Sequence, residues 1–327
     1  MTTDLGPILL IGAGGLVGRH LEAAAHSGGL DVRTVAVPWS DRRGSVRALT
    51  QAIDALVADD MDHWTVVWAA GAGVVATPEA DLAAEVEVFT EVVEHLTRVA
   101  ASGTGAVVLM SSAGGVHAGS VNPPFTEETA PAPLVAYGRA KLAMEDALRE
   151  QCPPVGLRSL VLRLANVYGP GQRLNKAQGL VSQISLAHAT GAPLPVLVAQ
   201  DTMRDYVYAA DLGLLTVVAI RRLHDQPAGA VVLKIVAAGA PTSVGELIGQ
   251  ARRVLRRPLR TAPVSGRVVG QVPELRFRSL VWTDLDSLLA TPLPVGLSQT
   301  AQDVLERVAR HGRDGDLDGD LARVPSA

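Results

Sequence analysis

The chain has 327 residues, of which 48% are apolar and 19% are charged. This length and composition supply enough apolar side chains for one large core or two modest ones, and they exclude disorder over most of the chain. The formal net charge is -4, from 29 Lys and Arg against 33 Asp and Glu, so no global basic field attracts nucleic acid or an anionic membrane.

The location and the redox chemistry of the protein follow from what its sequence lacks. The only cysteine is Cys152, so no internal disulfide can form. The first residues lack the basic segment and the cleavage site of a signal peptide. Gly, Pro or charged residues interrupt every apolar run before the roughly 18 residues that a membrane-spanning helix needs. We therefore expect a soluble, cytoplasmic protein with no membrane partner and no nucleic-acid partner.

Metal binding is not expected either. The histidines are scattered, and a single cysteine allows no zinc spacing. Asp314, Asp316 and Asp318 imitate the start of a calcium loop, but Pro325 stands where such a loop needs a bidentate glutamate. The sequence therefore predicts an acidic tail there and no metal site.

Apolar runs alternate with amphipathic stretches along the first half of the chain. The runs predicted to be strands are residues 7–11, 31–38, 65–73, 105–115 and 159–167. Helices are predicted after a glycine turn that follows the first strand, and at residues 45–57, 80–101 and 135–150. Because parallel neighbours need crossover helices, this alternation predicts an α/β fold with a doubly wound parallel sheet. The Pro-rich residues 117–133 are predicted to be a loop over the edge of the sheet.

The second half of the chain is more mixed. Helices are predicted at residues 176–190, 209–223 and 243–256, and a strand at residues 230–237. We expect a smaller C-terminal α+β lobe here.

Glycines between the first strand and the first helix form the first candidate site. Gly12, Gly15 and Gly18 let backbone amides at a helix N-terminus approach a pyrophosphate without an intervening Cβ. A glycine triplet alone is a weak signal, but this one has the strand, turn and helix context that a dinucleotide fingerprint requires. Its GxxGxxG spacing points away from the two-domain dehydrogenases, which carry GxGxxG.

The residues expected to select the cofactor are ambiguous. No carboxylate stands at the end of the second strand, about 20 residues after the glycines, where NAD-binding proteins usually carry one. Asp41 could reach the adenosine ribose of NAD, or Arg42 and Arg43 could hold the 2′-phosphate of NADP. A solvated turn is the third interpretation, and the three have equal weight. A further strand and an adenine-contacting aspartate are hard to find between Gly44 and Trp64.

The second candidate site consists of a serine pair followed by a tyrosine and a lysine. Ser111 and Ser112 end the predicted fourth strand, and Tyr137 stands four residues before Lys141 on the next helix, so both side chains share one helix face. The chain has only three lysines, which makes this pairing notable. A nearby ammonium lowers the pKa of a phenol, which can then exchange a proton with an alcohol whose oxygen a serine orients.

Segments along the whole chain resemble one enzyme family. GAGGLVG, SSAGG, YGRAKLAMED, VLRLANVYGPGQ and RDYVYAADLG occur in this order. Together they resemble the extended short-chain dehydrogenase/reductase family, and most of all its NAD-dependent nucleotide-sugar epimerase/dehydratase branch. The resemblance runs from Ile8 to about Arg310. It implies a Rossmann-type sheet with a C-terminal substrate lobe, NAD as cofactor with NADP as an alternative, and a nucleotide-diphosphate sugar as substrate.

The resemblance also implies a division of the chain. Residues 1–168, with a return segment at 205–237, correspond to the dinucleotide-binding domain. Residues 169–204 and 238–310 correspond to the substrate-binding lobe. Residues 311–327 are expected to be a flexible tail.

The same resemblance assigns roles to residues. Tyr137 is implied to be the catalytic base and acid, Lys141 to lower its pKa and bind the nicotinamide ribose, and Ser112 to bind the reacting sugar hydroxyl. The cofactor-binding residues it implies are Gly12, Gly15, Leu16, Val17, Gly18, Asp41, Arg42, Ala69, Ala70, Gly71, Ser111, Tyr137 and Lys141. The substrate-binding residues it implies are Ser112, His117, Asn166 and Arg204. His117 takes the place of a family tyrosine, although a loop histidine without a role is the stronger interpretation.

These assignments lead to an expected reaction. The 4,6-dehydratases of this branch carry an Asp-Glu pair where this chain has Ala113 and Gly114, so dehydration is disfavoured. We expect an epimerase that oxidises the sugar transiently at C4. The alternatives are an NADPH-dependent 4-ketoreductase and, in another class, a non-catalytic NAD(P)-binding regulator.

A homodimer is expected from the helices at 80–101 and 135–150, which correspond to the dimer helices of the family. Val86, Val93 and Leu96 on the first of these helices could serve the interface or could equally belong to the core.

Overall fold

The computed structural model describes residues 5–58, 63–71, 77–100, 105–174, 179–256, 258–263 and 272–314. The strands are β1 (Ile8–Ile11), β2 (Val32–Thr34), β3 (Trp64–Trp68), β4 (Gly105–Ser112), β5 (Arg158–Leu164), β6 (Asn166–Tyr168), β7 (Leu194–Val196), β8 (Met203–Arg204), β9 (Tyr206–Tyr208), β10 (Val231–Val236), β11 (Thr242–Ser243) and β12 (Thr261–Pro263). The helices are α1 (Leu16–Ser27), α2 (Arg42–Val57), α3 (Glu79–Val99), α4 (Ala113–Val116), α5 (Ala136–Gln151), α6 (Leu180–Thr190), α7 (Ala209–His224), α8 (Val244–Leu255) and α9 (Leu293–Asp314). Short 3₁₀ helices lie at Pro153–Val155 and Thr283–Leu288.

A six-stranded parallel sheet forms the centre of the molecule. Its strand order is β10-β5-β4-β3-β1-β2, and each neighbouring pair is parallel. Helices α1 and α7 cover one face around a core that includes Leu21 and Leu212. Helices α2, α3 and α5 cover the other face around a second core that includes Phe89 and Met144. The predicted doubly wound Rossmann-type α/β fold is confirmed.

The side of the sheet formed by β1 and β2 has fewer strands than the usual doubly wound arrangement. That arrangement has three strands on each side of the switch point, whereas β2 is itself the edge strand here. A single helix, α2, leads from β2 towards β3. It begins three residues earlier than predicted because Asp41 is extended and its carbonyl accepts the first helical hydrogen bond from Ser45, at 2.8 Å. The described residues between Gly44 and Trp64 contain no further strand, as the sequence had suggested.

The C-terminal part has its own apolar cluster. Side chains from α6, α8 and α9 pack around Ile184, Leu247 and Leu297. Three two-stranded ladders, β11-β8, β12-β7 and β6-β9, lie beside the main sheet. Helix α9 was not predicted from the sequence, and it continues to Asp314 into the expected tail. The rest of that tail, residues 315–327, and the predicted start of α6 at residues 176–178 lie outside the described residues.

The residues offered for a dimer interface are packed inside this chain. Val93 and Leu96 are buried in the core beneath α3, and Val86 packs against that core. The homodimer therefore remains a prediction that these side chains do not support.

No helix among the described residues is both long and apolar enough to cross a membrane. In the same part of the chain, no three His, Cys, Asp or Glu side chains are grouped in a way that could hold a metal ion.

Candidate active site

The carboxyl ends of four neighbouring strands bring the predicted site residues to one edge of the sheet. The glycine turn follows β1, and Ala69-Ala70-Gly71 follow β3. Ser112 ends β4, and Asn166 comes just after β5. Ligands of open parallel sheets bind at this edge. The sheet thus assembles residues that are more than 150 positions apart in the sequence.

The glycine turn is shaped so that only glycine fits at two of its positions. Gly12 has a φ of +96°, and a Cβ there would lie 2.5 Å from the backbone nitrogen of Ala70. A Cβ on Gly18 would lie 2.1 Å from the carbonyl oxygen of Gly12. Helix α1 can therefore start directly against the turn. Its N-cap, Gly15, contributes no side-chain hydrogen bond, and nothing lies within 4 Å of a Cβ built on Gly14.

This turn fits the pyrophosphate of a dinucleotide. The N–H groups of the first helical turn, which includes Leu16 and Val17, have no capping side chain, and the helix dipole favours an anion in front of them. The open space beside Gly14 is where the approaching phosphate would lie. The structure thus brings Gly12, Gly15 and Gly18 together as predicted.

Ser112 and Tyr137 face each other across Gly115. The Ser112 hydroxyl caps the four-residue helix α4 by accepting a hydrogen bond from the Gly115 N–H at 3.1 Å. A Cβ on Gly115 would lie 3.0 Å from the Tyr137 ring and 3.3 Å from the Ser112 oxygen. Helix α5 approaches equally closely, because a Cβ on Gly138 would lie 2.0 Å from the Gly115 carbonyl oxygen. The absence of side chains at the two glycines lets the Tyr137 ring and the Ser112 hydroxyl approach the same backbone position.

Lys141 lies one helical turn after Tyr137 and forms an ion pair. Its Nζ is 3.2 Å from Oε1 of Glu85 on α3, and both side chains are largely buried. A Cβ on Gly71 would lie 3.3 Å from that Nζ and 3.2 Å from the same Glu85 oxygen. The lysine, the glutamate and the loop after β3 therefore meet at one point.

Ser111 points away from this edge into a buried polar network. Its hydroxyl donates to Oε1 of Glu145 on α5. The Glu145 carboxylate pairs with Arg163 of β5, whose Nη2 donates to Oε2 at 2.7 Å. Arg163 Nη1 lies 3.0 Å from Nε2 of His117. Because each of these four side chains is buried, the network fixes the ends of β4 and β5 to the helix that carries Tyr137.

His117 does not line the candidate site. It is fully buried, its ring stacks on Phe125 with centroids 5.6 Å apart, and its Nδ1 is 3.2 Å from the Ser120 hydroxyl. Arginine is always a donor, so Nε2 accepts from Arg163 and Nδ1 carries the proton. Both ring nitrogens thus have protein partners and neither faces a substrate. The Ser111 hydroxyl is likewise directed into the protein rather than towards a cofactor.

Two buried histidines lie within the fold in their neutral form. Burial, with a smaller effect from the charge of Arg163, lowers the pKa of His117 to about 4. Burial also lowers the pKa of His224 on α7 to about 4, helped by the neighbouring His63 and Arg158. Both groups therefore bind a proton more readily in the unfolded chain, where the pKa is near its ordinary value.

We expect acid to destabilise the fold between pH 6.5 and 4. The unfolded chain takes up these two protons as the pH falls through 6.5, whereas the folded chain resists until about pH 4. Each histidine then removes at most about 3 kcal/mol of stability. Asp205 acts in the opposite sense, because burial raises its pKa to about 6. Thermal unfolding at pH 7.5 and pH 5 tests this expectation. Between these two pH values the melting temperature of His224→Gln should fall less than that of the unsubstituted chain, and an equal fall would contradict the assignment.

Of the residues proposed to select the cofactor, Arg42 has ionic partners within the protein. The Arg42 guanidinium contacts Glu91 and lies 3.4 Å from Glu87, both on α3. Asp41 stands at the start of α2, where its Oδ2 would lie 2.6 Å from a Cβ on Gly44. Two carboxylates beside Arg42 make its surroundings less favourable to the 2′-phosphate of NADP.

Trp39 is the exposed aromatic side chain at this end of the sheet. It is 50% exposed, and its ring contacts the edge of Trp68 at the end of β3, with centroids 6.1 Å apart. Among the described residues it is the sole aromatic one with a large exposed apolar surface. It follows β2, which is the edge strand of the sheet.

Asn166 and Arg204 lie on the C-terminal side of the site. Asn166 is exposed at the start of β6, and its N–H donates to the carbonyl of Asp205 at 3.0 Å. Arg204 is partly buried on β8, and burial lowers the pKa of its guanidinium. The Leu275 N–H donates to the Met203 carbonyl at 3.2 Å. The Leu275 side chain reaches to 3.4 Å from a Cβ on Gly114, which links this side to α4.

The other three tyrosines form a separate cluster. The Tyr168 ring lies 6.2 Å from that of Tyr206 and 5.6 Å from that of Tyr208, measured between centroids. The cluster packs against α9, and burial raises the pKa of all three phenols, that of Tyr206 to about 12. Tyr137 is thus outside this cluster, on α5 and beside Gly115, which follows β4.

Sequence reasoning missed Glu85, Trp39, Glu145, Arg163, Gly115 and Gly138. Arg163 stands in an apolar stretch where a charge is unusual, and that signal could have marked it as part of a buried pair. Glu85 is one of several acidic residues along its helix, so the sequence did not single it out. The need for glycine at positions 115 and 138 could not be predicted from the sequence, because it arises only where α4 meets α5.

Comparison with known proteins places this site in a family. Residues 8–233 match the profile of the NAD dependent epimerase/dehydratase family. The chain is 24% identical over 290 residues to a UDP-glucose 4-epimerase of Azospirillum brasilense, covering 82% of each protein. It is also 31% identical over 105 residues to the dTDP-4-dehydro-6-deoxyglucose reductase of Escherichia coli, which spans 32% of this chain and 33% of that relative.

Among solved structures, a UDP-glucose 4-epimerase of Thermotoga maritima superposes with a TM-score of 0.77 at 22% identity, over 92% of this chain and 99% of that one. At this identity the likeness supports the fold.

Proposed function

The chain belongs to the NAD dependent epimerase/dehydratase family, and from that premise we propose that it inverts C4 of a nucleotide-diphosphate sugar with NAD as cofactor. Relatives and structural neighbours of the chain are sugar-nucleotide epimerases, dehydratases and reductases, and the chain is an enzyme of this kind. The observation that supports the proposal is that the Tyr137 ring and the Ser112 hydroxyl both approach Gly115, while Lys141, one helical turn after Tyr137, approaches Gly71 in the loop after β3. When bound, NAD supplies the reversible hydride acceptor that an inversion at an unactivated carbon requires.

The cofactor would be held along the strand ends. The uncapped N–H groups of α1 and the space beside Gly14 fit the pyrophosphate. Gly71, whose missing Cβ opens the approach to Lys141, fits a ribose at the other end. The acidic surroundings of Arg42 favour NAD over NADP.

Proton transfer is assigned to Tyr137. Its phenolate oxygen accepts the proton of the C4 hydroxyl and later returns it to the C4 oxygen of the inverted sugar. The Ser112 hydroxyl donates a hydrogen bond to the same oxygen and so fixes its position. The positive charge of Lys141, on the same face of α5, favours the phenolate. The cycle ends with Tyr137 in its initial protonation state.

The substrate would extend towards the C-terminal part of the chain. Arg204, a partly buried guanidinium, suits the diphosphate, because its fork of donors matches paired oxygens. The exposed Asn166 lies beside it and suits a sugar or phosphate oxygen. Ala113 and Gly114 provide no carboxylate after Ser112, so the elimination of water has no acid there. A homodimer through α3 and α5 and a cytoplasmic location remain part of the proposal.

One observation favours a second candidate. The similarity to a dTDP-4-dehydro-6-deoxyglucose reductase at 31% identity favours a 4-ketoreductase, which would use the same three residues once, with NADPH from solution. The experiment that separates the two is to purify the protein without added cofactor, identify any bound nucleotide, and incubate it with UDP-, dTDP- and GDP-sugars. Retained NAD with interconversion of C4 epimers supports the epimerase. Stoichiometric NADPH consumption with a 4-keto sugar supports the ketoreductase.

Trp39 is proposed to stack on the adenine of the cofactor, since β2 is the edge strand and, among the described residues, no further strand pairs with it. Stacking between a base and an aromatic ring contributes about 1–3 kcal/mol. Trp39→Ala should therefore raise the dissociation constant for NAD and for AMP roughly 5- to 100-fold, measured by calorimetry. Trp39→Phe should retain most of the affinity, and binding of nicotinamide mononucleotide should not change. Equal AMP affinity in Trp39→Ala would exclude this role.

A further inference from the structure

The ion pair between Lys141 and Glu85 is not explained by any role described above. The two residues are 56 positions apart in sequence, on α5 and α3, and their charged atoms are 3.2 Å apart. Their side chains are 7% and 15% exposed, respectively. A carboxylate held this deeply is unusual unless it has a partner. Here the partner is Lys141, the residue that acts together with Tyr137 in the proposed mechanism.

The groups that face the Lys141 ammonium come from each element packed around it. Helix α3 supplies Glu85, and the Met144 sulfur on α5 lies 3.9 Å away. Tyr137 stands one turn earlier on the same helix. Glu145, one turn later, is committed to Arg163 and does not compete. Glu85 is therefore the anionic group that orients the ammonium.

The ion pair also adjoins the path of the cofactor. Both charged atoms lie within 3.3 Å of a Cβ built on Gly71, and Gly71 follows the Ala69-Ala70 backbone that touches Gly12. A dinucleotide that extends from the glycine turn along the strand ends would bring its second ribose to Gly71. Adjacent hydroxyls of that ribose are donors, and a carboxylate with two oxygens can accept from one of them while holding the lysine.

We propose that Glu85 positions Lys141 and shares with it the binding of the nicotinamide ribose. The carboxylate holds the ammonium at Gly71 through one oxygen and accepts a ribose hydroxyl through the other. Its negative charge also offsets part of the field that the ammonium exerts on the Tyr137 phenol. This inference rests on the proposed function for the identity of the cofactor, but its two consequences can be measured without turnover.

The ribose contact is tested by binding. ADP-ribose contains the second ribose and AMP does not. Glu85→Ala should weaken ADP-ribose and NAD roughly 10- to 100-fold, as expected for a lost hydrogen bond to a charged group, and leave AMP within about twofold. Glu94→Ala, an exposed glutamate on the same helix, is the matched control and should change none of these affinities. Unchanged ADP-ribose affinity in Glu85→Ala overturns the contact.

The coupling to Tyr137 is tested by phenolate absorbance in the cofactor-free protein. The part of the phenolate signal that Tyr137→Phe abolishes belongs to Tyr137. Glu85→Gln keeps the shape of the side chain and removes its charge. It should lower the midpoint of that signal by about 0.5 to 1 pH unit.

In a variant that folds normally, an unchanged midpoint overturns the coupling. These results are separable from the proposed function. A chain that shows both effects but interconverts no C4 epimers retains the Glu85 inference and loses the epimerase.

Discussion

Replacing Tyr137 with phenylalanine should lower turnover of a C4 epimer pair by about 10²- to 10⁴-fold, which is the range of general acid–base catalysis. The substitution removes the hydroxyl that is proposed to take the proton of the reacting sugar and keeps the ring beside Gly115. NAD affinity and melting temperature should stay close to those of the unsubstituted protein. Steady-state assays and calorimetry measure the two effects separately.

The matched control is Tyr208→Phe. That hydroxyl donates to Gln299 on α9, inside the tyrosine cluster of the C-terminal part. Its loss should leave turnover within about threefold, because the hydroxyl is bonded to Gln299 and has no role in the proposed proton transfer. Full turnover in Tyr137→Phe would remove the proposed mechanism, whatever the substrate.

Replacing Arg163 with methionine should give the largest loss of stability. Arg163 and Glu145 are 2% and 0% exposed at their side chains. Without its partner, the Glu145 carboxylate stays buried and uncompensated, and His117 and Ser111 lose the order of their network. Breaking such a pair costs about 3–5 kcal/mol. For a chain of this size that corresponds to a fall of roughly 10 °C in melting temperature.

Two further variants separate the cost of an orphaned charge from the value of the pair. Arg163→Met combined with Glu145→Leu removes both charges and should recover much of the lost stability, since apolar replacements of buried pairs are often neutral. Arg149→Met on the same helix breaks an exposed pair with Asp146 and should change stability by less than about 1 kcal/mol. If Arg163→Met alone is as stable as Arg149→Met, the network does not hold β4 and β5 to α5.

The network also explains why Tyr137 and Ser112 can be aligned at all. They lie on different elements that meet through the close approach of α4 and α5 at Gly115 and Gly138. Ser111, Glu145 and Arg163 in turn join β4 and β5 to α5. A site that needs sub-ångström alignment is thus supported by a buried layer whose members take no part in the chemistry.

Local patterns were enough to predict the parts of the site that depend on one element and its turn. The glycine turn was readable because its spacing and its strand-to-helix context are both local. Tyr137 and Lys141 were readable because four residues make one helical turn. The order of apolar runs predicted the parallel sheet, and parallel strands necessarily bring Gly12 and Ser112 to one edge.

What could not be predicted depends on contacts between distant elements. Glu85 and Lys141 meet only because α3 and α5 pack side by side on one face of the sheet. His117 reads as a loop residue, yet it is buried because the loop folds over Phe125 and Arg163 approaches from β5. The valines of α3 could serve a core or an interface, and only packing decides between them.

The shortened first half of the sheet was visible only as a missing pattern. No apolar run stood between Gly44 and Trp64, and the structure shows helix α2 there instead. The exposure of Trp39 could not be predicted from the sequence, because it depends on which strand forms the edge of the sheet.

The proposed reaction inverts C4 by removing and returning the same hydrogen. Its most direct test is incubation with a nucleotide sugar deuterated at C4, followed by NMR of the product in ordinary water. Inverted C4 that still carries deuterium, with no net consumption of NADH or NADPH, is the predicted result. A product that has exchanged its C4 deuterium for hydrogen, or that forms only with stoichiometric NADPH, would rule out this reaction.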